Sequence, residues 1–176
     1  MSEAQFVAAT LAWHDFYLAT AGASAALLGL LFVGVSINLG TISANERVDL
    51  RARSGLAFSN LVYVLVISLL MLIAQQEPHG LGLGLGAISL VGLLRAIRHL
   101  VTILRSRHAV RDMRGTLRRI GWTIIGDVLL AGTAVGLYAT GDGHLLSVLM
   151  AAVFILLIGA ADVAWEMLVV VSADRE

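Results

Sequence analysis

LVYVLVISLLMLI, residues 61–73, is the stretch on which the fold turns. It holds thirteen residues without a charge, and its polar members, Tyr63 and Ser68, are not spaced every second position as in a half-buried strand. A barrel strand alternates apolar and polar faces, so a continuous apolar run of this kind calls for a helix. Extended outward it covers 56–75, close to the roughly 20 helical residues needed to cross the hydrocarbon core of a bilayer.

Four further apolar segments have similar reach, at 18–40, 81–100, 120–140 and 145–169. Composition agrees with them. The chain has 176 residues, of which 59% are hydrophobic and only 14% charged, and its mean hydropathy is +0.89. A soluble domain of that length cannot bury so large an apolar share. The fold class expected is therefore all-α, one polytopic transmembrane bundle over 1–176, with five spans. The alternative is four spans plus a re-entrant third segment, because the charge-free part of 81–100 is short and contains Gly82, Gly84 and Gly86.

Charge decides between the two. All twelve basic residues are arginine, balanced by twelve acids. Arg47, Arg51 and Arg53 lie between the first two spans, and eight more arginines occupy the stretch from Arg95 to Arg119. The connections 76–80 and 141–144 contain none. Five spans put every arginine-bearing loop on one side, which the positive-inside rule makes cytoplasmic, whereas four would split them. The expected arrangement is multi-pass in a bacterial cytoplasmic (inner) membrane, N-terminus outside and C-terminus inside. The first twenty residues carry Glu3 and Asp15 but no arginine, unlike the basic start of a signal peptide, so the first apolar segment is expected to stay in the protein.

Over 98–119, Ile103, Leu104, Val110, Met113 and Leu117, with Ile120 just beyond, interleave with arginines, the pattern of a basic helix resting on anionic headgroups. Its expected partners are the lipid bilayer and those headgroups, and not nucleic acid. Helices associate within lipid by close approach at small residues. Ala21, Ala25 and Gly29 offer such a face in span one, Gly82 and Gly86 in span three, and Gly132 and Gly136 in span four. Each serves packing within the chain or meets a neighbour. A bundle of five short spans is thin, so a homo-oligomer, or association with another membrane protein, is expected.

Asp127 lies five residues past the interfacial Trp122, ~8 Å deeper along span four. A lone carboxylate there costs about 2.5 to 3.5 kcal/mol. Arg95 comes to a similar depth from span three, with Arg98 and His99 close behind it, and Asp162 and Glu166 stand one turn apart on span five. These six residues, with Asn38 late in span one, are expected to form one charged layer. It is either a set of ion pairs that fixes helix register or a wetted path for ions or protons.

At the opposite ends of the spans stand His14, His79 and His144 with Asp15, Glu77 and Asp142. Three imidazoles and three carboxylates are weak candidates for a metal, but none has ligand spacing, so no metal is expected. With no cysteine there are no disulfides or thiolate sites. Ser24, Ser36 and Ser68 sit in apolar helix without a base at a telling distance, and LGLGLG at 81–86 lacks the strand and the Lys-Ser/Thr of a phosphate loop. Neither a catalytic site nor a cofactor is expected.

The stretch from Ala21 to Leu39, with ASAALLGLLFVGVSINL at its centre, resembles the first span of a broad group of small, uncharacterised bacterial multi-span membrane proteins, some of them labelled modulators of a membrane-bound protease. The likeness covers about a tenth of the chain. It implies a membrane location and brings no catalytic motif. SAALLG in span one, and AFSNLVYVLVISLLMLI with Gln75, Gln76, Glu77 and Pro78 behind it, are more faintly similar to Orai calcium channels. Those channels have four spans and an acidic selectivity ring on the first. Here the comparable Val35, Ser36, Ile37 and Asn38 include no acid, which argues against calcium selectivity.

Overall fold

The structure is a computed structural model that describes residues 3–37, 48–73, 77–105 and 113–173. Among these residues the chain is all-helical, without strands. The helices are α1 (Glu3–Ala12), α2 (His14–Ile37), α3 (Val48–Met71), α4 (Pro78–Arg105), α5 (Met113–Thr140) and α6 (Leu145–Ala173). Four of them contain stretches long and apolar enough to cross a membrane, at His14–Ile37, Pro78–Arg98, Gly121–Thr140 and Leu145–Asp162. α3 supplies a shorter apolar stretch, Ala57–Met71.

The third apolar segment is one unbroken helix, with no re-entrant bend. Pro78 opens α4 at a position where a missing N–H costs nothing, and the glycines at 82, 84 and 86 stay within regular helix. From Leu93 to Arg105 neither glycine nor proline interrupts it, so helix continues through Arg95 and Arg98 and past residue 100 to Arg105. The middle of the basic segment, 106–112, lies outside the described residues. The segment's described parts belong to the end of α4 and the start of α5.

Helices α3 to α6 pack antiparallel in succession, and their closest approaches fix the register. Gly84 faces Leu70 on α3, Gly82 and Gly92 face Tyr138 and Asp127 on α5, and Gly136 and Gly159 bring α5 and α6 together at Leu145 and Trp122. α3 also packs broadly on α6, so the four close a bundle around Leu61, Val64, Ile67, Leu85, Leu130, Leu149, Val153 and Leu156, all fully buried. α2 lies outside this bundle, mainly against α3. It buries Tyr17, Thr20, Ala21 and Ser24, and Thr20 Oγ1 and Ser68 Oγ share a hydrogen bond of 2.9 Å. α1 folds its Phe6 into the core, near the aromatic contact of Phe16 with Tyr17 and Phe154.

The arginine-free connections meet at one end, where Gly141 lies beside Pro78. Gly141 has φ +61° and donates its N–H to Leu137 O, ending α5 in the left-handed conformation that a side chain would oppose. The outside of the bundle is apolar. Leu30, Ile37, Leu83, Val135 and Trp165 are each between 63% and 70% exposed, whereas Asn60, Ser68, Thr123, Asp127 and Thr133 are at most 3% exposed. Polar inside and apolar outside is the distribution that a lipid solvent imposes.

Candidate functional site

The site grows from Asn60 on α3. Its Nδ2 donates to Thr123 Oγ1 on α5 at 2.9 Å, and its Oδ1 accepts from Arg95 Nη2 on α4 at 3.1 Å. One amide thus ties three helices, each bond replacing one that lipid cannot offer. Tyr63 stands three residues on, on the same face of α3, and Arg95 Cζ lies 4.5 Å from the centre of its ring. The guanidinium is held on two sides, while its Nε and Nη1 are buried without a partner.

Asp127 is four residues past Thr123 on α5 and only 2% exposed. Its carboxylate rests against the α4 backbone at Gly92, where a Cβ would come within 2.8 Å of Oδ1. Room for the acid therefore exists because residue 92 has no side chain. Neither carboxylate oxygen has a hydrogen-bond partner.

The charged layer expected from the sequence is only partly assembled. Arg95, Tyr63 and Asp127 lie within electrostatic range of one another. No hydrogen bond joins Arg95 to Asp127, however, because the guanidinium is turned to Asn60 and Tyr63 and the carboxylate to Gly92. Asp162 stands apart in depth. Gly159 faces Trp122, so Asp162, three residues further along α6, is about eight residues from the level of Asp127, or ~12 Å. Asp162 is half-buried and Arg98 exposed, each with interactions of its own. Asn38 and the side chains of His99 and Glu166 lie outside the described residues.

The small-residue faces also separate. Gly82 makes the tightest backbone approach, since a Cβ there would lie 2.8 Å from Tyr138 N, whereas one at Gly86 would be 4.0 Å from Ala134 Cβ. Gly136 is filled by Leu145. Ala21 is buried against the bundle, while Ala25 is exposed, and Gly29 and Gly132 face open space.

At the far end, the histidines are engaged locally. His14 Nδ1 is 3.3 Å from Asp15 Oδ1, His79 Nδ1 donates to Tyr138 O at 2.8 Å, and the His144 backbone N–H donates to Asp142 Oδ1. No three such groups converge among the described residues.

Asn60, Tyr63, Gly92 and Thr123 were not among the residues singled out from the sequence. Asn60 had a readable signal, a lone amide amid apolar helix, and Gly92 and Thr123 stand one turn before the two charges. Taken together, these features define a membrane-embedded helical bundle with a buried polar cluster across α3, α4 and α5. Comparison with protein-family models, with curated proteins and with solved structures finds no match to this chain.

Proposed function

We propose that the chain is a five-span protein of the bacterial cytoplasmic membrane that works as an oligomeric or accessory subunit, stabilising or regulating membrane proteins through its helix faces. The observation that carries this is the placement of α2. One face packs on the bundle, and the other leaves Gly22, Ala25 and Gly29 on the outer surface with the backbone open to close approach. The second reading, an ion or proton conductor, is favoured by the unpartnered Asp127.

The mass of the purified protein in lipid nanodiscs separates these readings when combined with ion flux from liposomes. A self-complex, or a complex with a co-purifying membrane protein, with no flux is the expected result. A monomer with no co-purifying protein overturns the subunit role. Flux that Asp127→Asn alters moves the assignment to the conductor.

Topology has its own test, made clean by the absence of cysteine. Glu77→Cys and Asp142→Cys are expected to react with an impermeant maleimide added to intact cells. Arg98→Cys should react only after the membrane is opened. The reverse pattern sinks the proposed orientation, and labelling of all three from one side sinks the five-span count.

A further inference from the structure

In a membrane bundle, buried polar groups find partners inside the protein, because hydrocarbon supplies none. Asn60 and Thr123 conform, and Asp127 does not. A carboxylate with no donor is the form of an acid that an apolar interior tolerates least. Arg95, the nearby cation, is bonded to Asn60 and still has two buried donors unused.

We propose that Asp127 is a reversible proton-binding site, alternating between a neutral acid beside Gly92 and a carboxylate whose counter-charge is Arg95. In the first state Arg95 rests on Asn60 and Tyr63, the arrangement described above. In the second its spare N–H groups supply the missing donors. One O–H bond forms or breaks at the carboxyl, the proton is exchanged with water, and no other bond changes.

The surroundings select a proton over other ligands. A metal cation such as Ca²⁺ takes about six to eight oxygens. Here Asn60 Oδ1 and Thr123 Oγ1 are already engaged, and the guanidinium repels a cation. An anion drawn to Arg95 would meet the charge of Asp127. Among the described residues, the titratable and charged groups facing the site are Arg95 from α4 and Tyr63 from α3. α6 presents Leu156 beside Gly126, with Asp162 about 12 Å away along the axis, and α5 has no other titratable side chain between Gly121 and Leu137. The inference rests on this cluster alone, so it stands or falls separately from the subunit role.

Infrared difference spectra of the full chain in lipid bilayers, taken between about pH 9 and about pH 5, test it. The carbonyl band of a buried carboxylic acid is expected to grow as pH falls and to be missing from Asp127→Asn. Should that variant fail to fold, a hydrophobic carbodiimide gives the same answer on the unaltered protein. The acid adds across the reagent's N=C bond, so the adduct keeps the whole reagent mass and maps to Asp127, with a yield that declines as pH rises. A band and adduct absent at every pH, or present and unchanged at every pH, would overturn the proposal.

Discussion

Asn60→Leu is expected to destabilise the bundle by about 3 kcal/mol, the largest loss from any single polar substitution in it. Leucine keeps the branch of asparagine at Cγ with bulkier groups on it, so the change removes the hydrogen bonds while the side chain still fills the site. Two bonds disappear together, to Thr123 Oγ1 and from Arg95 Nη2. Hydrogen bonds between membrane helices average roughly 0.6 kcal/mol and reach about 1.7, so the bonds alone account for about half the loss. The remainder comes from Arg95, which already has two buried N–H groups without partners and would gain a third. Unfolding by SDS titration in mixed micelles measures it. Thr123→Val should reproduce only the smaller share, and the two substitutions together should cost less than their sum because they share a bond. A loss under about 1 kcal/mol for Asn60→Leu would mean that the amide does not hold the three helices together.

Gly82→Ala is the second large effect, with an expected cost of about 1 to 3 kcal/mol from one added methyl group. An alanine Cβ would lie 2.8 Å from Tyr138 N, 3.0 Å from Ala134 O and 3.1 Å from Tyr138 Cα. All three are backbone atoms of α5, so no rotamer change relieves the clash, and α4 and α5 must move apart. Gly136 meets only the tip of Leu145, which can turn away, and Gly136→Ala should cost less. Gly132 faces open space, and Gly132→Ala should be neutral or stabilising by up to ~1 kcal/mol through helix propensity. The same titration ranks the three. Equal losses at 82 and 132 would show that the cost follows glycine content and not the α4–α5 contact.

That the run beginning at Leu61 is helical, to Met71 in the structure, and that the described residues form an all-helical bundle with an apolar exterior, follows from local pattern: length, hydropathy and the lack of strand alternation. Arg95 and Asp127 could be matched in depth because 1.5 Å per residue is a property of any helix. The same count put Asp162 too near Asp127, since it lacked the contact of Gly159 with Trp122 that sets the stagger of α5 and α6. It also ended the third helix near Leu100, although nothing between there and Arg105 stops helix propagation.

Sequence by itself determined the helical class, the apolar exterior and the candidates for the polar interior, because each depends on composition and on spacing along one helix. Tertiary structure alone decided which candidates meet. GxxxG-like spacing occurs in both α4 and α5, yet only Gly82 lies against a neighbouring backbone while Gly132 faces outward. Arg95 looked like the partner of Asp127 but is bonded to Asn60, 35 residues before it in the chain. Rotation of each helix about its axis sets these choices, and that rotation is fixed by how whole faces interlock across helices, which no single segment specifies.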